Sequence, residues 1–513
     1  MLPRKRTRIA VVGGGPGGLC SAMLLQARGF DVTVLEQRGE LGGRSGAVKL
    51  GPYTFDVGST MLMMPFVAEE MFALAGRALE REVELMPIDP MYRLDFGDRA
   101  LDVFSDPTRM RAELERFSPG SSQGLGRFLS KEAERLDHLY PVLQESWPNL
   151  GTLLRPLAVG ALPWVGVAQS LYEQSAEYFD DEALRLAFCF QSAYLGMSPW
   201  ECPAGFAMVP FVEHAWGIAH VRGGVHRLCT ALARVATQLG ATVRTGAQVK
   251  RLVVEGDRCT AVELEGGERV PCDDAIVNAD GARALDTLLE RRVSLRFNHH
   301  RLEHLAESCS TYMLYLGLDR TVPLRHHTFF FARDYRAEME RIFRKGLVGD
   351  DLSLYVCNPA ATDPTMAPEG HCALYVLALV PNTRFALDWH RQGPALRDTV
   401  VAALTRRTGL ELEGHVKVEA SVTPRDWEND YAVSHGAVFG PAHRITQLLA
   451  FRLPNRLPSP GNVYLAGGAT SPGSGLPTIL ESARIASRLV CERHGVAFPP
   501  SAPLPSLVRR PAA

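Results

Sequence analysis

The chain has 513 residues, of which 46% are hydrophobic and 22% are charged, and its formal net charge is −2. This length allows two or three domains, and the near-neutral charge gives no indication of a nucleic-acid partner. The ten cysteines form no CxxC pair and no Cys/His cluster at zinc spacing. We therefore expect no metal site, and free thiols in a reducing compartment.

The segment RIAVVGGGPGGLCSAMLLQARGFDVTVLEQ near the N-terminus predicts the start of a βαβ unit. Short apolar runs indicate strands at residues 9–12 and 32–35, and an apolar periodicity indicates a helix at 17–28. Gly29 is a typical helix stop. The segment thus reads as a strand, a glycine turn, a helix and a second strand.

Gly13, Gly15 and Gly18 form a GxGxxG pattern between the first strand and the helix. In such a turn the first glycine allows the tight bend, the second lets a pyrophosphate approach the backbone, and the third lets helix and strand pack closely. The helix N-terminus offers free N–H groups to phosphate. Glu36 ends the second strand, where a carboxylate accepts ribose hydroxyls and repels a 2′-phosphate. The pattern predicts a dinucleotide other than NADP.

A second glycine turn, ELGGRSG, follows Glu36 directly and contains Gly43 and Arg44. A simple NAD domain has no such turn, and this one is similar to the extended motif of two-domain flavoproteins. We expect Arg44 to offer its guanidinium to a phosphate or to the flavin region. The alternative is a surface turn with a solvated arginine.

Residues 107–191 are predicted to be mostly helical, and the stretch 156–169 within them carries no charge. This stretch is too short to span a bilayer, so it either dips into one bilayer face or forms a core helix interrupted by Pro163. The basic opening MLPRKR is not expected to begin a signal peptide, because the apolar run after it soon breaks into glycines. We expect a cytoplasmic protein with peripheral association to the cytoplasmic membrane.

The second half of the chain predicts more strands than helices. Strands at 241–244, 249–254 and 275–277 surround a Gly-Gly hairpin. The runs STYMLYLGL, LSLYVCN and CALYVLALV suit a separate mixed sheet. The segment NVYLAGGATSPGSGLPTILESARIASRLV then predicts a strand, a glycine-rich turn and a helix, and a Pro-rich tail follows.

Segments spread over nearly the whole chain resemble the phytoene desaturase family, the bacterial and fungal carotenoid desaturases among flavin amine-oxidase-like enzymes. They include GGRSGAVKLGPYTFDVGSTMLMMP, FQSAYLGMSPWECPA, VRGGVHRLCTALARVA and GGATSPGSGLPTILESARIASRL. The last is the most specific, because it is similar to the family's C-terminal signature. Its core, a Thr-x-Pro-Gly-x-Gly-hydrophobic-Pro pattern, runs from Thr470 to Pro477.

The resemblance implies an α/β fold: a two-domain FAD-binding flavoprotein with a discontinuous Rossmann-type domain, a mixed β-sheet substrate domain and a helical lid region. The implied bounds are 1–75, 220–290 and 455–495 for the FAD-binding domain, 76–219 for the helical lid and part of the substrate region, 291–454 for the substrate-binding domain, and 496–513 for a loose C-terminal tail.

The resemblance also implies which residues hold FAD. These are Gly13, Gly15, Gly18, Glu36, Gly43, Arg44, Val249, Gly467, Leu476, Pro477 and Thr478. Val249 would present its backbone to the adenine, and the helix starting near Thr478 would point its N-terminus at the flavin ring. Two positions depart from the pattern: Ser471 stands where many members have His, and Gly468 stands where related flavoproteins often have Asp.

The chemistry implied is desaturation of a long isoprenoid such as phytoene, in carotenoid biosynthesis. FAD can take a hydride from an allylic carbon, and loss of a proton from the next carbon completes the double bond. We assign no catalytic residue, because the pairs His326–His327 and Glu213–His214 are more typical of structural roles. A single GxGxxG unit argues against a nicotinamide domain, so oxygen or a membrane quinone would reoxidise the flavin.

The same sequence features are compatible with other functions. Within flavoenzymes they are a carotenoid oxygenase or ketolase, a carotenoid isomerase, a retinol-saturase-like reductase, or an amine oxidase with an aromatic cage around its site. Outside enzymes, some prenyl-binding escort proteins are similar to this fold and hold no flavin. The intact glycine turn, Glu36 and Gly-Gly-Arg segment argue against an escort protein.

Overall fold

The structure is a computed structural model that describes residues 6–289 and 299–506. The strands in these ranges are β1 (Arg8–Val12), β2 (Asp31–Leu35), β3 (Ala47–Leu50), β4 (Tyr53–Asp56), β5 (Leu85–Pro87), β6 (Tyr92–Asp95), β7 (Ala100–Val103), β8 (Ala219–Val221), β9 (Thr242–Arg244), β10 (Val249–Glu255), β11 (Arg258–Leu264), β12 (Arg269–Pro271), β13 (Asp274–Val277), β14 (Ser310–Leu318), β15 (His327–Phe330), β16 (Leu354–Cys357), β17 (Cys372–Val380), β18 (Val416–Val422) and β19 (Val463–Leu465).

The α-helices in the same ranges are α1 (Pro16–Gln26), α2 (Pro65–Leu74), α3 (Pro107–Phe117), α4 (Ser122–Leu143), α5 (Pro156–Ala161), α6 (Leu171–Ala176), α7 (Glu182–Ala187), α8 (Met208–Trp216), α9 (His226–Gln238), α10 (Gly281–Leu288), α11 (His299–Glu303), α12 (Tyr335–Glu340), α13 (Trp389–Thr408), α14 (Pro424–Asn429) and α15 (Leu476–Arg493).

A parallel sheet of five strands, in the order β19–β13–β1–β2–β9, joins three distant parts of the chain. Its strands are short and apolar, as is typical of a parallel sheet covered on both faces. Side chains alternate between the two faces, so Ile9 and Val11 pack with α1, α9 and α15, while Ala10 and Val12 face the opposite cluster. The carboxyl ends of these strands therefore meet at one edge.

A second, seven-stranded sheet has the order β18–β14–β17–β16–β15–β6–β7. Its neighbours pair antiparallel except β15 and β6, which pair parallel. The long strands β14 and β17 pair residue for residue from Ser310 opposite Val380 to Leu318 opposite Cys372. The small antiparallel sheet β10–β11–β12 lies beside the parallel sheet and shares its second core cluster. The predicted α/β class with a mixed second sheet is confirmed.

The predicted helical region contains α3 to α7, separated by turns. The uncharged stretch inside it forms α5 and a short 3-10 helix over Leu162–Trp164. Ala158 and Ala161 are buried there, whereas Leu162 and Val167 are 56% and 60% exposed. Within the part of the chain that the structure describes, no helix has the length and apolar character needed to cross a membrane.

The C-terminal tail differs from the loose segment expected at 496–513. As far as residue 506 it lies against the fold, because its apolar side chains find partners on the core and its backbone finds hydrogen bonds. Phe498 packs under the guanidinium of Arg28, and the amide of Ala502 donates to Glu70 at 2.9 Å. Residues 507–513 of that prediction lie outside the described residues.

Candidate functional site

The glycine turn between β1 and α1 has no room for side chains. Gly13 has φ +101°, and a Cβ there would lie 2.3 Å from the carbonyl oxygen of Asn278. A Cβ on Gly18 would lie 2.1 Å from the carbonyl oxygen of Gly13, and one on Gly15 would lie 2.9 Å from Oδ1 of Asn278. Each glycine of the pattern is therefore required by a close approach of backbone or side chain.

Asn278, which directly follows β13, ties this turn to the C-terminal part of the chain. Its side-chain amide donates to the carbonyl of Ala466 at 2.9 Å, and a Cβ on Gly467 would lie 2.7 Å from the same nitrogen. Oδ1 of Asn278 is buried without a hydrogen-bond partner. Our sequence reasoning missed this residue, although its place after a parallel strand, at the edge where ligands bind in such sheets, could have indicated it.

Glu36 lies at the end of β2 and is buried. Its Oε2 accepts a hydrogen bond from the amide of Gly14 at 2.6 Å, and Oε1 accepts one from the amide of Arg38 at 2.8 Å. Each carboxylate oxygen can accept a further hydrogen bond. The side chain is thus fixed in place while it keeps acceptor capacity toward the cavity that it lines.

A first cavity of about 350 Å³, called the polar cavity below, opens at the carboxyl edge of the parallel sheet. Seven of the eleven predicted cofactor-binding residues line it, namely Gly13, Gly15, Glu36, Gly43, Arg44, Val249 and Gly467. Gly15 has no side chain to cap α1, so the first N–H groups of that helix remain available to an anion. Gly18 lies in the wall of the turn behind the cavity, against Gly13.

Arg44 is half-buried at the inner end of the polar cavity. Its Nη1 donates to the carbonyl of Val438 at 2.5 Å. Loss of water lowers the pKa of this guanidinium, and the nearby carboxylate of Asp280 opposes the shift. Asp280 caps α10 and lines the same cavity, and burial raises its pKa against the attraction of Arg44. Arg44 therefore presents a positive charge inside the fold rather than on its surface.

The glycine-rich turn near the C-terminus leads into α15. Gly475 has φ +119° and provides no side-chain cap for the helix. Leu476 and Pro477 line a second cavity, while the hydroxyl of Thr478 donates to the carbonyl of Gly475 at 2.9 Å. Thr478 is not among the residues that line either cavity. The uncapped first turn of α15 leaves N–H groups at the point where the two cavities approach each other.

The second cavity, of about 230 Å³ and called the apolar cavity below, lies against the seven-stranded sheet. Methionine, leucine and aromatic side chains dominate its wall, including Met61, Met63, Met313, Phe329, Leu377 and Phe439. Arg44, Ser45 and Ile479 line both cavities, so they mark the junction. Among the described residues that line the apolar cavity, Arg44 alone carries a formal charge.

Three tyrosines line the apolar cavity, and the hydroxyl of each has a partner. That of Tyr194 is hydrogen-bonded to the buried carboxylate of Glu213. Tyr375 donates to the carbonyl of Gly58 at 2.9 Å. The hydroxyl of Tyr355 lies 2.6 Å from Oγ1 of Thr60 and 2.8 Å from Nδ1 of His327. Tyr375 thus ends at backbone, whereas Tyr355 connects the cavity to a buried histidine.

The four titratable residues singled out in the sequence lie behind the cavity wall. Glu213 accepts hydrogen bonds from Tyr92 at 2.8 Å and Gln191 at 3.0 Å, and burial raises its pKa to about 7. Burial lowers the pKa of His214 to about 4 and that of His327 to about 3. None of these three residues, nor His326, is among the residues that line the apolar cavity.

The arrangement fits a flavin adenine dinucleotide. The polar cavity offers a glycine cradle that any Cβ would fill, an uncapped helix N-terminus for phosphate, and a buried carboxylate for ribose hydroxyls. It continues through Arg44 into a cavity with apolar walls. Such a course suits a cofactor with a polar nucleotide end and a reactive ring at the other end.

Comparisons with known proteins agree with this geometry. The model of the flavin-containing amine oxidoreductase family matches residues 16–491. A 4,4′-diapophytoene desaturase (4,4′-diapolycopene-forming) of Methylomonas sp is 42% identical over 96% of both chains. A ζ-carotene-forming phytoene desaturase of Myxococcus xanthus is 38% identical over 96% of both chains. A lycopene-forming phytoene desaturase of Pantoea ananas is 34% identical over 94% of this chain and 98% of its own.

Solved structures share the fold at much lower identity. A putrescine oxidase mutant from a redesign of cofactor binding has a TM-score of 0.64 at 15% identity and covers 96% of this chain and 99% of its own. Cyclohexylamine oxidase of Brevibacterium oxydans has a TM-score of 0.60 at 14% identity and covers 96% of this chain and 100% of its own. At these identities the likeness supports the fold alone.

Proposed function

This chain belongs to the flavin-containing amine oxidoreductase family, within it to the carotenoid desaturases, and we propose on that premise that it desaturates a carotenoid precursor such as phytoene. It is an FAD-dependent oxidoreductase. The observation that carries the proposal is the direct junction of the polar and apolar cavities at Arg44, Ser45 and Ile479. A hydrocarbon in the apolar cavity would thereby lie beside the reactive end of the cofactor.

We propose the following roles for the residues of the polar cavity. Glu36 accepts the hydroxyls of the adenosine ribose, and the Gly13–Gly18 turn with the N-terminus of α1 holds the pyrophosphate. Val249 presents its backbone to the adenine. Gly43 and Arg44 run beside the diphosphate, where the guanidinium of Arg44 offsets negative charge.

Gly467 and the segment Leu476–Thr478 lie toward the flavin end in this proposal. When bound, FAD accepts a hydride from an activated C–H bond. The first turn of α15 directs its N–H groups and partial positive charge to that end, which favours negative charge there. The apolar wall excludes water and orients the chain of the substrate. No acidic or metal-bound group is needed to start the reaction, because the bond that breaks first is allylic.

We also propose that the protein has the domain bounds given above. The segments 1–75, 220–290 and 455–495 each supply strands or helices to the parallel sheet and its cover, which supports one discontinuous FAD-binding domain. The segments 76–219 and 291–454 together supply the seven-stranded sheet, because β6 and β7 pair next to β15. The substrate region is therefore built from both of these segments.

An amine-oxidising function is less well supported. Aromatic side chains, including Tyr194, Tyr355 and Tyr375, do line the apolar cavity. However, its formal charge comes from Arg44, which would repel an ammonium group rather than attract it. A flavin-free escort function is opposed by the tight glycine turn, which a protein without a dinucleotide would have no need to keep.

We further propose that the segment around α5 rests on a membrane surface, where a carotenoid precursor dissolves. Large apolar side chains exposed to solvent concentrate there, namely Leu150, Leu154, Val159, Leu162 and Val167. Between residues 150 and 167 the one charged side chain is Arg155, and such a cluster of exposed apolar side chains is typical of an interfacial segment. Contact with a bilayer would also bring a membrane quinone within reach as electron acceptor, with oxygen as the alternative.

Expression of the chain in cells that accumulate phytoene tests the proposed function directly. Extraction and chromatography should reveal carotenoids with a longer chromophore than phytoene. Parallel cultures fed neurosporene, lycopene or hydroxylated carotenoids separate early desaturation from oxygenation or isomerisation. A purified yellow protein with no product from any of these carotenoids would contradict the proposal, and a colourless protein would favour an escort function.

A further inference from the structure

A buried cluster of three histidines and one aspartate, called the histidine cluster below, lies behind the wall of the apolar cavity. It consists of His220, His326, His327 and Asp363, whose side chains are at most 4% exposed. The ring centroids of His326 and His327 are 4.4 Å apart, and those of His220 and His326 are 4.9 Å apart. Each imidazole uses one nitrogen in a hydrogen bond and leaves the other buried without a partner.

Tyr355 connects this cluster to the apolar cavity. Its hydroxyl lies 2.8 Å from Nδ1 of His327 and 2.6 Å from Oγ1 of Thr60, and both Tyr355 and Thr60 line the cavity. When Nε2 of His327 carries the ring proton, Nδ1 accepts the hydrogen bond of Tyr355. The cavity wall therefore contains a hydroxyl that is already hydrogen-bonded to an imidazole. Burial lowers the pKa of His327 to about 3, so this imidazole is a weak base, and it can take a proton only from a strongly acidic donor such as the C–H bond beside an allylic cation.

The far end of the cluster carries a compensating negative charge. Asp363 accepts hydrogen bonds from Nε2 of His220 at 3.0 Å and from the amide of Gly223 at 2.6 Å, and others come from Thr365. Burial raises the pKa of Asp363, but these hydrogen bonds outweigh it and hold the carboxyl ionised. Burial and the neighbouring imidazoles lower the pKa of His326. The carboxylate of Asp363 thus places a negative charge at the far end of the cluster, where it offsets the positive charge that a proton would add to the imidazoles.

We propose that Tyr355 and His327 take up the proton released in the desaturation, with His326, His220 and Asp363 as the store behind them. This inference rests on the proposed function, in which a hydride leaves one allylic carbon for the flavin with both electrons of its C–H bond. The hydride can return to the allylic cation until the neighbouring C–H bond breaks, so flavin bleaching persists only when that proton leaves. The electron pair of that C–H bond becomes the π bond of the new double bond. Its proton passes to the oxygen of Tyr355 as the hydroxyl proton moves to Nδ1 of His327.

Tyr375 provides a matched control for Tyr355. Both hydroxyls lie in the same cavity wall, but that of Tyr375 donates only to the carbonyl of Gly58 and reaches no base. The substitutions Tyr355→Phe and Tyr375→Phe remove the same atom from the same wall. The substitution His327→Asn separates hydrogen bonding from proton uptake. The amide oxygen of Asn can accept the hydrogen bond of Tyr355, but it cannot take up the proton.

The test measures the anaerobic bleaching of bound flavin after each purified protein is mixed with phytoene in liposomes. General-base catalysis typically contributes on the order of 100- to 10,000-fold, so Tyr355→Phe and His327→Asn should bleach at least ~100-fold more slowly. Tyr375→Phe should slow bleaching far less than Tyr355→Phe, because it removes a hydroxyl from the same wall without removing the connection to His327. Flavin content and quenching of tryptophan fluorescence by bound polyene should stay the same in all variants. The slowing of wild-type bleaching in D₂O should disappear in Tyr355→Phe.

Three results would overturn the inference. Tyr355→Phe could bleach as fast as Tyr375→Phe, or His327→Asn could retain the wild-type rate. A stoichiometric divalent metal that the purified protein holds and His327→Asn loses would assign the cluster to metal binding instead. If His327→Asn failed to bind flavin, the comparison of Tyr355→Phe with Tyr375→Phe would still test whether the Tyr355 hydroxyl takes up the proton. Failure of the unchanged chain to desaturate phytoene would instead contradict the proposed function.

Discussion

The polar cavity and the apolar cavity meet at Arg44, yet they are built in opposite ways. The polar cavity is formed by backbone and glycines at the edge of the parallel sheet, with charged side chains such as Glu36 and Asp280 around it. The apolar cavity is formed by side chains of the mixed sheet, for example Met313, Phe329 and Leu377. A cavity made of backbone tolerates almost no change in residue size, whereas a cavity made of side chains can alter in shape while the fold persists. Substitutions should therefore separate cofactor binding from substrate binding.

The largest effect is expected from Gly18→Ala. Its Cβ would lie 2.1 Å from the carbonyl oxygen of Gly13, so the turn must shift. Overpacking of this kind costs about 1–3 kcal/mol, and the purified protein should lose most of its flavin. Flavin absorbance per protein and urea unfolding would measure both effects. Gly39→Ala is the control, because no atom lies within 4 Å of its added Cβ. Full flavin content in Gly18→Ala would contradict the proposal that the backbone of the glycine turn holds the cofactor.

A smaller loss of flavin is expected from Glu36→Gln. The amide offers one acceptor oxygen where the carboxylate offers two, so the Gly14 amide, the Arg38 amide or a ribose hydroxyl loses its partner. A hydrogen bond to a charged group contributes about 1.5–3 kcal/mol, which corresponds to roughly a tenfold or greater fall in FAD affinity. Titration of the flavin-stripped protein with FAD would measure it. Glu40→Gln, on an exposed neighbour, should leave the affinity unchanged.

The opposite outcome is expected in the apolar cavity. Leu377→Asn places an amide against a hydrocarbon, at a cost of about 1–3 kcal/mol when the amide finds no partner. Turnover of phytoene should fall roughly tenfold while flavin content stays at the wild-type level. Leu377→Met keeps the volume and apolar character and should retain most activity. Equal loss of flavin and of turnover in Leu377→Asn would mean that the two cavities are not independent.

The smallest effect on the fold is expected outside both cavities. The double substitution Leu154→Asp and Leu162→Asp changes exposed side chains, so the free energy of unfolding should stay within about 0.5 kcal/mol. Co-sedimentation with anionic liposomes should nevertheless fall several-fold. Leu347→Asp is the control, since Leu347 is 50% exposed but lies far along the chain from α5. Unchanged sedimentation of the double variant would leave this stretch without a membrane role.

Sequence patterns predicted the helices and strands that depend only on residues close to one another in the chain. The glycine pattern predicted β1, α1 and β2 to within a residue or two, because a tight turn and a helix stop depend on nearby residues. The uninterrupted apolar runs predicted β14 and β17 for the same reason. These elements would have been recognised without any knowledge of a related protein.

Contacts between distant residues were not predictable in this way. Asn278 packs against glycines on both sides of it in the chain, and Tyr355 bonds to Thr60, which is 295 positions away. No local pattern marks such a pair, because each residue alone is an ordinary polar side chain. The packing of the tail up to residue 506 escaped prediction likewise, since proline-rich composition indicates little about a groove formed by other segments.

The parallel sheet has a consequence for how the protein is made. The chain emerges from the ribosome with β1 and its glycine turn first, but β19 and α15 come more than 450 residues later. The side-chain amide of Asn278 that braces the turn bonds to Ala466, which is synthesised 188 residues after it. Until these residues are made, the glycine turn of a nascent chain lacks the partners that brace it in the folded protein. Gly467 and Ile479, which complete the wall of the polar cavity, are synthesised more than 400 residues after the glycine turn that they face.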